Sequence, residues 1–210
     1  MASTPKENIL KKIRSALSQS TAIPFPDSDG TEFLFQPQTI EPEVEFAENF
    51  TQLLGIFSYC SDEKELAEQL NTLIKTKQWD KLYCVEDSIK KTLSLQGLQP
   101  TWHTDLASCN ASLTRCEYLV ARTGSILMSS AQLSGRTTSV YAPVHICVAY
   151  TSQLVYDIKD GLKQLKEKYP HQLPSLITLA TGPSRTADIE KTLVVGIHGP
   201  KEVYVFLVEG

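Results

Sequence analysis

Apolar and polar positions follow two different periods along this chain, and the changes of period mark its elements. Behind Thr4-Pro5-Lys6-Glu7, a capping box with proline at the first helical position, Ile9, Leu10, Ile13, Ala16 and Leu17 recur at helical spacing. They predict an amphipathic helix to about Gln19. From Ile23 to Glu45 the periodicity gives way to a proline-rich acidic stretch, and no Lys or Arg occurs between Arg14 and Lys64. This stretch reads as an extended arm, and Phe25, Phe33, Leu34 and Phe35 give it apolar side chains that favour a surface to dock on. Residues 1–45 are thereby set apart from a main domain over 46–210. The amphipathic helix offers a face to that domain or to a second subunit, so a homodimer is among the expected assemblies.

Beyond the arm, helical and extended patterns alternate. Helices are predicted near Val44 to Leu54, from Ser61 or Asp62 to Thr76, over Asp87 to Leu95, near Ala107, and over Ser152 to Lys168. Strands are predicted over Ile56 to Cys60, Lys81 to Val85, Glu117 to Ala121, Gly124 to Met128, Val140 to Ala149, Leu176 to Ala180 and Val203 to Val208. Such alternation implies an α/β sheet covered by helices on both faces. Val140 to Ala149, apolar at nearly every position, suits a central strand buried on both sides. Ligands in such folds gather beyond the carboxyl ends of strands, which directs attention to the loops after Ala121, Ala180 and Gly196.

Composition narrows the function classes. A chain of 210 residues, 41% hydrophobic with a formal charge of −4, can bury one core and carries no basic footprint for nucleic acid. It has neither an apolar run near twenty residues nor the regions of a signal peptide, so a cytoplasmic location is expected. Cys60, Cys84, Cys109, Cys116 and Cys147 are widely spaced without a Cys-x-x-Cys pair, which predicts reduced core thiols and no iron–sulfur cluster in this chain. The four histidines are never four apart, so no metal site is expected.

Candidate chemistry concentrates in Thr181 to Glu190. Gly182-Pro183 punctuates the chain after a strand, and Pro183, a Ser184 or Thr186 cap, and the acids Asp188 and Glu190 together predict a helix start. Backbone N–H groups there, with Ser184, Thr186 and Arg185, would cradle a phosphate or carboxylate. The plainer alternative is an ordinary cap with Arg185 paired to Asp188. Thr123-Gly124-Ser125 presents hydroxyls and a glycine where a phosphate approaches backbone, and Gly135 to Ser139 adds a cation and three hydroxyls in a loop. His145, inside the apolar run, reads as a hydrogen-bonded core histidine. His198 sits in a Gly-bounded turn within reach of the Asp188 region, which makes Asp188 and His198 the candidate proton-transfer groups. No Ser-His-Asp order, Gly-x-Ser-x-Gly elbow or Gly-x-Gly-x-x-Gly fingerprint occurs.

The run from Thr181 through His198-Gly199-Pro200 to Val208 resembles the C-terminal signature of the LUD-domain family, in its lactate utilization protein C branch. Ala121 to Ile126 is similar to that family's Ala-acidic-Thr-Gly segment, and Pro143-Val144-His145-Ile146 to its Pro-Val-His-Ile strand. The resemblance extends from about Glu117 to the C-terminus. One departure is Arg122, which stands where the family usually carries an acid. The resemblance implies a three-layer α/β/α sandwich similar to the sugar-phosphate isomerase and CoA-transferase superfamily. It also implies a part in oxidising L-lactate to pyruvate, where two companion proteins carry iron–sulfur clusters and this chain is the cluster-free component. An independent enzyme acting on a phosphorylated sugar or acyl-CoA, and a non-catalytic interaction module, are the alternatives left open.

Overall fold

The computed structural model describes residues 5–18, 40–187 and 193–210. Two compact units divide the chain, Met1–Pro37 and Gln38–Gly210. In the first, helix α1 (Pro5–Leu17) starts on its proline with Glu7 in the first turn, as the pattern predicts, and ends two residues earlier than expected. The capping residue Thr4 and most of the acidic arm lie outside the described residues. The arm's last residues are helical: α2 (Pro42–Gln52) opens on Pro42, whose missing N–H costs nothing at a helix start, with Glu43 and Glu45 at the positive end of the dipole.

The main unit is built on a six-stranded parallel sheet. Its strands, in spatial order, are β1 (Ile56–Cys60), β12 (Glu202–Val208), β7 (Val144–Tyr150), β4 (Ala111–Arg115), β2 (Leu82–Tyr83) and β3 (Trp102–His103). Helices α3 (Glu63–Lys77) and α4 (Asp87–Leu95) cover one face. There Leu66, Leu70, Ile89 and Leu93 pack on Ile146, Val148, Tyr204 and Phe206. On the other face Phe46 and Phe50 of α2 join Cys147, Val205 and Leu207. A second, mixed sheet shares that layer: β8 (Leu154–Val155), β5 (Tyr118–Val120), β6 (Ser125–Ser129) and β9 (Ile177–Ala180). Helix α6 (Ile158–Lys168) closes its outer side, with Leu165 against Val120 and Leu127. The parallel central sheet flanked by helices is the expected architecture, with an additional sheet inserted in one layer. All five cysteines are buried free thiols, as their spacing suggests.

Differences from the pattern have local causes. Strand β4, not anticipated, reads Ala-Ser-Leu-Thr-Arg, yet its first four residues are buried. Its hydroxyls are satisfied inside the protein: Ser112 Oγ donates to the Thr138 carbonyl at 2.7 Å, and Thr114 Oγ1 lies 2.8 Å from His145 Nε2. Residues 140–143, predicted as strand, instead complete the one-turn helix α5 (Thr138–Tyr141) and an Ala142-Pro143 step into β7. Helix α6 begins at Ile158 rather than Ser152, because Asp157 caps it, accepting from Lys159 N at 3.0 Å while Asp160 receives the Asp157 N–H. Among the described residues no helix is long and apolar enough to cross a membrane.

Candidate functional site

The Gly182-Pro183 turn does not open a helix. Arg185–Ala187 forms strand β10, paired antiparallel with β11 (Leu193–Val195) in the register Arg185 to Val195 and Thr186 to Val194. The reason lies in Ser184, both of whose backbone groups are committed to a distant segment. Its N–H donates to the Pro200 carbonyl and its carbonyl accepts from Gly196 N, both at 2.9 Å. The Thr186–Val194 pair that follows, β-branched on both strands, suits a ladder better than a first helical turn. The helix-dipole anion cradle expected here is therefore replaced by a hairpin. Asp188, one of the two expected proton-transfer residues, and Glu190 lie outside the described residues.

Ser184, entering the hairpin, packs on the His198 turn. Gly199 sits against Ser184, where an added Cβ would lie 3.0 Å from the serine Cβ. Arg185 and His198 are both exposed. His198 lines an open groove of 510 Å³ together with Tyr141, Pro143, Ile197 and Lys201. Tyr141 is 68% and Ile197 56% exposed, so two large apolar side chains stand next to His198 and Lys201. Because Pro143 precedes β7 and Lys201 precedes β12, this groove lies at the amino ends of the central strands. The loop after Gly196 thus does not occupy the carboxyl-end position that the sequence suggested.

Thr123, Gly124, Ser125 and Gly182 form a second cluster, under the end of α2. Ser125 Oγ lies 2.8 Å from Thr123 Oγ1 and 2.9 Å from Thr181 Oγ1, so these hydroxyls satisfy one another. Gly124 has φ +57° and Gly182 φ +76°; a Cβ at the first would come within 2.5 Å of Phe50 N, and at the second within 2.3 Å of the Leu53 carbonyl oxygen. Both glycines let the α2 backbone approach, and Asn49 Nδ2 locks the contact by donating to the Ala121 carbonyl at 3.0 Å. Arg122 Nε pairs with Asp157 Oδ2 at 2.8 Å. The backbone N–H of Lys159, with the Arg122 guanidinium, holds the Asp157 carboxyl below the usual carboxylate range. Arg122 therefore has a structural counter-ion in Asp157, the residue that caps α6.

The carboxyl ends of the parallel strands carry residues that the sequence did not single out. Arg115, ending β4, places its guanidinium 4.9 Å from the Tyr150 ring centre and donates from Nη2 to Tyr150 OH at 3.1 Å. Tyr150 in turn donates to Glu63 Oε1 at 2.8 Å, and the buried Glu86 accepts from Arg115 N at 3.1 Å. Burial first, then the Glu63 bond, push the Tyr150 hydroxyl up. Arg115 Nε is buried without a hydrogen-bond partner among the described residues. Recognising β4 as a strand was the signal that would have found this group.

Residues 89–208 match the family model of the LUD domain. An uncharacterized protein of Neisseria meningitidis serogroup B is 31% identical over 123 residues, 58% of this chain and 52% of that protein. Lactate utilization protein C of Deinococcus radiodurans is 32% identical over 115 residues, 54% of this chain and 53% of that protein. The protein of the same name from Bacillus velezensis is 27% identical over 169 residues, 70% of each chain. The chain spans about half the length of the first two of these relatives. A crystal structure of a DUF162 family protein from Deinococcus radiodurans has the same fold, with a TM-score of 0.61 at 17% identity over 82% of this chain and 99% of that one.

Proposed function

The chain belongs to the LUD domain family, and on that premise we propose that it serves lactate utilization as the cluster-free component of an L-lactate-oxidising system, docking its iron–sulfur partners. The relatives named lactate utilization protein C support the system, and the surface of the His198 turn supports the role. The observation that carries it is the display of Tyr141 and Ile197 beside His198 and Lys201, on a turn that two Ser184 backbone bonds tie to the neighbouring strand. Exposed aromatic and aliphatic side chains rimmed by cations make a protein interface for an acidic partner face.

A second reading has one observation in its favour: His198 and Lys201 line the same groove, where a phosphorylated sugar or acyl-CoA would meet a cation beside a proton-transfer group. Saturable binding of such a metabolite by the purified chain separates that reading from docking.

Deleting the gene is expected to abolish growth of the native host on L-lactate, and the wild-type gene to restore it. Tyr141→Ala removes an exposed anchor without touching the core, and loss of about 2 kcal/mol at such a position weakens a complex about 30-fold. The variant should therefore accumulate normally yet restore growth poorly. Growth on lactate undiminished by the deletion would overturn the proposal.

A further inference from the structure

The exposed Tyr141 stands on α5, a helix of four residues. One turn returns too few hydrogen bonds to hold its own backbone angles, so a helix this short depends on what surrounds it. Inside α5 the Val140 and Tyr141 N–H groups both donate to the Thr137 carbonyl, each at 3.0 Å. The rest of its support comes from other elements.

At its first residue two buried hydroxyls act. Thr138, 3% exposed, donates from Oγ1 to the Ser134 carbonyl at 2.7 Å and so closes the preceding loop on itself. Its own carbonyl, which a single turn ends too soon to cap, accepts from Ser112 Oγ at 2.7 Å. Ser112 lies on β4, fully buried, in register with His145 of β7. At the exit of α5 the Pro143 carbonyl accepts from Lys201 N at 2.7 Å, which ties that end to the start of β12. Val140 and Tyr141 stand exposed between these two fixed points. The Pro143 tie is backbone to backbone; the Ser112 tie is made by a side chain, so a substitution can remove it.

Building on the docking role proposed for this surface, we infer that Ser112 is a positioning residue for it: its buried hydroxyl holds α5 so that Tyr141 stands at the groove in the orientation the iron–sulfur partner engages. Without that hydroxyl the Thr138 carbonyl is left buried with no donor, and the turn gains by moving out to water. The docking geometry then becomes one arrangement among several, and the apparent affinity falls with its population.

The test is a double-variant cycle on the full chain. Calorimetry gives the Kd for the purified iron–sulfur partner proteins with wild type, Ser112→Ala, Tyr141→Ala and the two combined. Ser112→Ala is expected to raise Kd about fivefold, as a turn in the docking geometry about one fifth of the time would. In the Tyr141→Ala background the same change should add nothing, because the side chain it positions is gone. Thr114→Val controls for fold stability: it removes a buried hydroxyl of the same strand, one that faces His145, and should leave Kd unchanged. Amide exchange reads the event without a partner, as faster exchange at Val140 and Tyr141 in Ser112→Ala with unchanged rates through β7. A Kd or an α5 exchange rate unmoved by Ser112→Ala, an equal penalty with and without Tyr141, or the same loss in Thr114→Val would each overturn the inference. A Kd unmoved by Tyr141→Ala would instead overturn the docking role itself, and the positioning role with it.

Discussion

Replacing Gly124 by alanine is expected to destabilise the main unit by about 3 kcal/mol, through two separable terms. The left-handed backbone at φ +57° strains any side chain, by about 1–3 kcal/mol. The second term is contact. The new Cβ would lie 2.5 Å from Phe50 N and 2.8 Å from Asn49 C, both backbone atoms of α2, so the helix itself has to move. Displacement of α2 loosens the Asn49 bonds to the Ala121 and Arg122 carbonyls and shifts Phe46 and Phe50, which are fully buried against the sheet. Gly97→Ala is the control. It has φ +82° but nothing within 4 Å of the added Cβ, so it carries strain without contact and should cost about 1 kcal/mol. Urea unfolding of both variants measures the difference, and equal losses would show that α2 yields freely to the new methyl group.

The second large effect is pH-dependent and centres on His145. This residue is 1% exposed on β7, bonded through Nε2 to Thr114, and burial pushes its pKa down to about 4. In the unfolded chain it titrates near 6.5. Between those values the unfolded state binds the proton and the folded state does not, so stability rises with pH across the window. The contribution is intact above pH 6.5 and declines as the pH falls toward 4, by about 1.4 kcal/mol per unit and about 3 kcal/mol in all. His145→Gln keeps an amide for Thr114 and removes the titration. Its stability should be nearly flat from pH 6.5 to 5.5, above the range in which ordinary carboxylates titrate. A wild-type profile that is equally flat there would mean the imidazole is protonated in place.

What the sequence discloses about this fold follows the range of the forces involved. Helix α4 (Asp87–Leu95) and strand β1 (Ile56–Cys60) match their predicted bounds, because each is framed by local signals: an acid at the helix start, a turn on either side of the strand. Strand β4 escapes because its burial depends on partners far along the chain, Thr138 and His145, which satisfy hydroxyls that read locally as loop. The same cause turns the expected helix after Pro183 into a hairpin. Capping residues are present in sequence, yet Ser184 spends its N–H and carbonyl on Pro200 and Gly196. At the candidate site, the contact of Ser184 with the His198-Gly199-Pro200 turn joins two motifs that stand close together in the sequence. The exposed Tyr141 was not legible, since it reads as part of an apolar strand until the one-turn helix lifts it out. Arg115, Tyr150 and Glu63 come from three separate elements and share no motif.

Reconstitution is the decisive experiment: L-lactate-dependent pyruvate formation by the purified iron–sulfur partner proteins, with an electron acceptor, in the presence and absence of this chain. Turnover is expected to require this chain, and Tyr141→Ala to raise the amount needed by about 30-fold. Full turnover by the partners alone would contradict it.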